Sequence, residues 1–180
     1  RFLSALGAVG ALWGLGGVGR IVASENEVWD VIIVGAGTAG LPAAVFAAER
    51  GARVLIIEAA PALGGTLFMT GGMMSAAGTK LQKAKGIEDS PQIHYDDIMR
   101  MSQNTADPDI VRLAVFNAAD TFDWLMDNGM EVPEEYPIYG PPEHDAYSVA
   151  RYARGTDKGI SILQVCQKKL QPFIDKGQVV

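Results

Sequence analysis

Cysteine is nearly missing from this chain, with Cys166 the single example among 180 residues. One thiol permits neither an internal disulfide nor a thiolate metal cluster, and among apolar neighbours on an expected helix it reads as packing. Histidine is almost as scarce. His94 and His144 stand fifty residues apart without ligand-like partners, so no metal site is expected. A C-x-x-C-H haem-attachment motif does not occur. Positive charge is also in short supply, with 15 Lys and Arg against 21 Asp and Glu, a net charge of −6. Nucleic-acid binding needs a basic face, so this balance argues against it. The one long uncharged run, Phe2 to Gly19, carries six glycines in its 18 residues and would make a poor membrane span. Internal repeats are absent.

Glycine is plentiful, and its placement is informative. The run Val31-Ile32-Ile33-Val34 leads into Gly35-Ala36-Gly37-Thr38-Ala39-Gly40, and Glu58 follows eighteen residues after the last of these glycines, at the end of a second apolar run, Val54-Leu55-Ile56-Ile57. This is the spacing of a dinucleotide-binding βαβ unit. A buried strand enters a tight turn at Gly35, Gly37 lets backbone approach a pyrophosphate, and Gly40 lets the next helix lie close to the sheet. Free N–H groups and the positive dipole end of that helix then face the phosphates. The first strand is β-branched without alternation, which predicts a parallel strand buried on both faces. Leu41, Ala44, Val45 and Ala48 recur at helical spacing, Pro42 falls in the first turn and Gly51 marks the end. Glu58 is placed to accept hydrogen bonds from ribose hydroxyls.

Two glycine doublets follow the acid, Gly64-Gly65 before Thr66 and Gly71-Gly72 after Thr70. Backbone without side chains fits a bulky planar group such as isoalloxazine better than it fits nicotinamide, the alternative being a flexible glycine-rich loop.

The order G-x-G-x-x-G, then Glu, then Gly-Gly with five residues between, then T-G-G-M-x-x-A-x-G-T resembles the flavoproteins of the succinate dehydrogenase and fumarate reductase superfamily. It is most similar to the soluble branch of fumarate reductases, urocanate reductases and 3-ketosteroid dehydrogenases, and the stretch Thr79 to Pro91 resembles the segment after the flavin loop of that branch. The resemblance implies an α/β fold, a Rossmann-like FAD-binding domain with a parallel sheet. It implies FAD as cofactor, with Gly35, Gly37, Thr38, Ala39 and Gly40 as the phosphate loop and Glu58 with Ala59 at the ribose. Gly64, Gly65, Thr66, Thr70, Gly71 and Gly72 become contacts along the flavin. The implied activity interconverts an activated C–C single and double bond in a small-molecule substrate, an unsaturated acid or a ketosteroid. An electron-transfer partner would be a separate chain. A reading as an NAD(P)H-linked flavin reductase or monooxygenase calls for a second G-x-G-x-x-G, which does not occur before Val180. A non-catalytic FAD-binding module and a membrane-tethered protein with a fortuitous glycine turn are further alternatives.

Members of that superfamily are much longer, and the third expected strand, Gln178-Val179-Val180, begins at the last residues. The chain therefore reads as an N-terminal fragment, residues 28–180 forming the first part of an FAD-binding domain. The catalytic acid or base, an Arg in the fumarate reductases and a Tyr in the ketosteroid enzymes, is expected beyond Val180. At the other end Arg1-Phe2-Leu3, the uncharged run, Arg20 and Ala23-Ser24 resemble a clipped twin-arginine export signal over residues 1–24, which implies a periplasmic protein; a membrane anchor or a native glycine-rich arm, in a membrane-tethered or cytoplasmic protein, is the alternative.

Ser90-Pro91 and Asp107-Pro108 each place a capping side chain before a proline, so two helices start there. The second is expected to run to about Asn128 with Ile110, Leu113, Ala114, Asn117, Ala118, Thr121, Phe122, Leu125 and Met126 on its core face, and to stop at Gly129. Val132 to Tyr152 reads as an irregular loop in which Tyr136, Tyr139 and Tyr147 pack on the surface or line a substrate entrance. The stretch Arg154-Gly155-Thr156-Asp157-Lys158-Gly159 matches the threonine-glycine-glycine pattern of fumarate reductases only loosely, which weakens the case for a dicarboxylate. A last helix carries Ile160, Leu163 and Leu170.

Overall fold

The strand, glycine turn and helix read from residues 31–51 all form in the computed structural model, which describes residues 9–11, 19–21, 27–140 and 146–180. In chain order the elements are β1 (Val9–Ala11), β2 (Gly19–Ile21), β3 (Val31–Val34), α1 (Gly40–Glu49), β4 (Val54–Ile57), a 3-10 turn (Gly65–Phe68), β5 (Met74–Ser75), α2 (Lys80–Ala84), α3 (Pro91–Met101), α4 (Pro108–Asp127), β6 (Tyr152–Ala153) and α5 (Gly159–Asp175). They divide into two compact units, residues 1–69 with 166–180 and residues 70–165. Apart from β1 and β2, which pair antiparallel with Val9 opposite Ile21, the expected leader lies outside the described residues. So does His144.

In the first unit β3 and β4 pair in parallel, Val31 against Val54 through Val34 against Ile57. The last residues continue the sheet on the far side of β4. Val54 N–H donates to the Gln178 carbonyl at 2.9 Å and Ile56 N–H to that of Val180 at 2.7 Å, so the expected third strand begins where it was read. Helix α1 covers one face of this sheet with Leu41, Ala44, Val45 and Ala48, all buried. Full burial of Leu41 alone stabilises the unit by about 2 kcal/mol. Val54, Leu170 and Val179 complete this small core.

The other face differs from expectation. Ile32 is 58% exposed and Val34 82%, so β3 is buried on one face only. A continuous apolar run carries no signal for which face is covered, and α1 covers just the side reached by Val31 and Ile33.

The second unit is built from helices around a short ribbon. β5 pairs antiparallel with β6, Met74 against Ala153 and Ser75 against Tyr152. Ser90 and Asp107 cap α3 and α4 as read, the Ser90 hydroxyl accepting from Ile93 N–H at 3.2 Å and the Asp107 carboxylate from Asp109 and Ile110 N–H at 2.9 and 3.2 Å. Gly129 stops α4 with φ +104°. Phe122 and Leu125 enter the core with Ala76, Met130, Tyr136, Ala153 and Val165. The first half of α4 is rotated from the expected face, because Val111 and Val115 are the buried residues while Ile110 and Leu113 are 66% and 70% exposed. Both stripes recur at helical spacing, and α3 packs against α4 with Tyr95 under the Arg112 guanidinium, 4.8 Å from its ring centroid.

Candidate functional site

The turn after β3 has its shape because three glycines meet three different steric demands. Gly35 adopts φ +96°, which L side chains disfavour, while its N–H donates to the Ile57 carbonyl at 2.7 Å and ties the turn to the end of β4. A β-carbon on Gly40 would lie 1.9 Å from the Gly35 carbonyl oxygen and 3.1 Å from the Ile33 side chain, so helix and strand meet in direct backbone contact there. Gly37 is the opposite case. Among the described residues a β-carbon built on it meets nothing within 4 Å, so its bareness opens space beside the loop. Helix α1 begins at Gly40 behind Ala39 with no side-chain cap, and Thr38 and Ala39 are exposed. An uncapped helix start behind a bare loop leaves N–H donors for an anion.

Glu58 closes the other side of the loop. One carboxylate oxygen accepts from Ala36 N–H at 2.7 Å, the other from Ala60 N–H at 2.8 Å. The amides of Ala60, Ala36 and, more weakly, Ala59 hold the carboxyl below its ordinary 4.5, so it is an anion at neutral pH. Each oxygen keeps a further acceptor position for a hydroxyl. The Ala36 carbonyl in turn accepts from Gly64 N–H at 2.7 Å, and Gly64 takes φ +118° and Gly65 φ +50° to enter the 3-10 turn. Gly65 and Thr66 are exposed beyond it. Hydrogen bonds through the backbone of the buried Ala36 and Gly64 thus join the loop of Gly35 to Gly40, Glu58 and the turn at Gly64 to Thr66 within the first unit.

Ala36 is the residue that sequence reasoning missed. It is fully buried, its N–H donates to the Glu58 carboxylate and its carbonyl accepts from Gly64 N–H, so it joins the three parts of the loop. Its contribution is backbone, and its only trace in the sequence is a small side chain between two glycines.

Thr70, Gly71 and Gly72 belong to the second unit. The Thr70 hydroxyl accepts from Gly72 N–H at 3.3 Å, and the Thr70 carbonyl accepts from Gly159 N–H at 3.3 Å. A β-carbon on Gly72 would meet Lys158 and Gly159 backbone at 2.5 Å, whereas Gly71 is exposed. This doublet divides its work, one glycine for close packing and one facing outward.

A family described as an FAD binding domain matches residues 30–168, a span that includes the turn, the acid and both doublets. The chain belongs to this family. Its FAD-binding domain is 34% identical over 145 residues to the fumarate reductase (cytochrome) of Shewanella frigidimarina, covering 81% of this chain and 25% of the relative. Among solved structures it is similar to the open conformation of a flavocytochrome c3 fumarate reductase, with TM-score 0.71 and 29% identity over 82% of this chain and 26% of that one. It is also similar to the 3-ketosteroid-Δ4-(5α)-dehydrogenase of Rhodococcus jostii RHA1, with TM-score 0.66 and 25% identity over 83% of this chain and 38% of that one. The chain spans about a quarter of the length of the first curated relatives it matches. The cofactor of this domain is FAD, and the bare Gly37, the uncapped start of α1 and the anionic Glu58 fit its dinucleotide half.

Proposed function

We propose that this chain supplies the FAD-holding part of an oxidoreductase that interconverts an activated C–C single and double bond beside a carbonyl or carboxylate. The observation that carries the reading is the closed circuit of Gly35, Ala36, Glu58 and Gly64 around the bare Gly37 and the start of α1. In this reading the amides of Gly37 to Gly40 face the pyrophosphate, and the Glu58 carboxylate accepts from ribose hydroxyls while keeping its hold on Ala36 and Ala60. Ala59, Gly64, Gly65 and Thr66 continue along the dinucleotide, and Thr70, Gly71 and Gly72 pass the isoalloxazine. When bound, FAD supplies hydride exchange with a substrate carbon. The chain's own task is to hold that group in place and keep its dinucleotide end out of reach of the chemistry.

The substrate is a small molecule, an unsaturated acid or a ketosteroid, in line with the names of the fumarate reductase and ketosteroid dehydrogenase relatives. Arg154 to Gly159 departs from the threonine-glycine-glycine pattern of fumarate reductases, which keeps the ketosteroid open beside the acid. We further propose export through the leader at residues 1–24 and a separate electron-transfer chain.

Two experiments on the full-length protein test this. Replacement of Glu58 by Ala is expected to weaken FAD binding at least about tenfold, the scale of losing hydrogen bonds to a charged acceptor; unchanged affinity would remove Glu58 from the ribose. Anaerobically reduced protein is expected to regain its oxidised flavin spectrum on addition of fumarate or an unsaturated 3-ketosteroid. Failure with every activated alkene tried, alongside oxidation of NAD(P)H, would move the assignment to a flavin reductase.

A further inference from the structure

A cluster of charges is buried in the second unit, well apart in sequence from the glycine loop. The side chain of Arg151 is fully buried, as is that of Asp89, and that of Asp97 is only 5% exposed. Arg151 Nε and Nη2 donate to the two oxygens of Asp89, each at 2.8 Å, and Nη1 donates to Asp97 Oδ2 at 2.5 Å. Ser148 donates to that same Asp97 oxygen through its amide at 2.8 Å and its hydroxyl at 2.7 Å. Gln82 Nε2 donates to Asp89 at 2.8 Å and to the Ala150 carbonyl at 2.8 Å, while its Oε1 accepts from Gly78 N–H at 2.7 Å.

Such a cluster is a poor way to gain stability, since taking these charges out of water costs about what their attraction returns. Its geometric effect is stronger. A guanidinium held in the fork of one carboxylate and against a second has a single orientation. Asp89 and Asp97 both hold residues 148–151, the approach to β6, and Gln82 ties Asp89 and the Ala150 carbonyl to Gly78, at the exit from β5. The ribbon these segments flank has two residues per strand. So short a ladder specifies its own register weakly, and a slip of one residue would turn Met74 out of the core and Ser75 into it. Ala76 N–H donates to the Arg151 carbonyl at 3.2 Å, linking the backbone of the buried arginine directly to the strand that follows Thr70 to Gly72. Further along, Lys158 and Gly159 abut Gly72.

We propose that Arg151, Asp89 and Asp97 form a positioning device for the flavin, fixing the register of β6 on β5 and thereby the path of Thr70 to Gly72. The inference rests on the reading that this path touches the isoalloxazine. These three residues touch neither cofactor nor substrate; they act through the backbone of the ribbon.

The test uses the full-length protein stripped of flavin and titrated separately with FAD and with ADP, which lacks the flavin end. Asp89→Asn keeps the size of the side chain but removes the charge opposite Arg151, and Ser148→Ala removes one hydrogen bond from Asp97 as a milder perturbation. FAD binding is expected to weaken about tenfold in Asp89→Asn and about twofold in Ser148→Ala, with ADP binding unchanged in both. The visible circular dichroism of FAD bound at saturation is expected to change in both variants, which a simple loss of stability would not produce. Equal weakening of FAD and ADP, or a dichroism spectrum identical to the parent's in Ser148→Ala, would overturn the device. An unaltered protein that binds ADP but holds FAD no more tightly would overturn the flavin reading of Thr70 to Gly72 itself, and the device with it.

Discussion

Gly37 and Gly40 are three residues apart and serve opposite ends, so alanine at each separates folding from binding. At Gly40 the added carbon collides with backbone, 1.9 Å from the Gly35 oxygen. Gly40→Ala is expected to cost about 3 kcal/mol in a urea titration, the upper part of the range for overpacking. At Gly37 the added carbon enters open space. Gly37→Ala is expected to leave the unfolding midpoint unchanged and to weaken FAD binding, and a lowered midpoint there would place the loop's constraint inside the fold. His94 makes a different prediction. Its side chain is buried against the Tyr147 ring, centroids 5.5 Å apart, and neither ring nitrogen has a hydrogen-bond partner among the described residues. Burial, aided by the Arg151 charge, pushes its pKa down from 6.5 to about 4. The folded form therefore refuses a proton that the unfolded chain accepts, and stability falls as pH drops from 6.5 towards 4. Asp97 adds a second acid limb. Burial opposes its charge, but Ser148, Arg151 and Arg100 outweigh it and hold the pKa at about 2 against 3.8, so its contribution is present above 3.8 and lost as pH falls towards 2. Melting temperatures of His94→Leu are expected to be flat over the first window and to retain the second.

At the scale of elements, capping chemistry is where sequence and structure agree most closely. Ser90, Asp107, Gly51 and Gly129 mark helix ends as read, because each works through its own local geometry. Helix α2 carries the same kind of signal and went unread. Thr79 accepts from Gln82 N–H at 3.2 Å while the Gln82 side chain accepts back from Thr79 N–H at 3.3 Å. Thr79→Ala is expected to cost about 1 kcal/mol, measured as a lowered urea midpoint with unchanged slope. The side chains that choose a face were harder to read. Ile110 and Leu113 match helical spacing as well as Val111 and Val115 do, and Ile32 and Val34 are as apolar as Val31 and Ile33. Tertiary neighbours settle both choices, and periodicity carries no information about neighbours. Tyrosines 136, 139 and 147 illustrate the same point, one in the core, one 57% exposed and one accepting from Ser75 Oγ at 3.0 Å. The turn after β3 was legible because Gly35 and Gly40 answer to backbone sterics alone. Ala36 and the Arg151 cluster were not, since hydrogen bonds made by a backbone, or between residues more than fifty apart, leave no local pattern.

For the molecule as a whole, the family and its cofactor are fixed by the match over residues 30–168, while the chain spans about a quarter of its first curated relatives. Cys166 fits a packing role at this scale, buried on α5 with its thiol pushed up to about 11 by burial. Among the described residues no helix is long and apolar enough to cross a membrane. The proposal that the loop from Gly35 to Gly40 and Glu58 hold FAD stands or falls on whether the protein carries the cofactor. The most direct measurement is an absorbance spectrum of the purified full-length protein, taken before and after denaturation. Flavin bands in the native spectrum, with free FAD released on denaturation, are the expected result. A colourless protein that also fails to take up added FAD would remove the flavin from this chain.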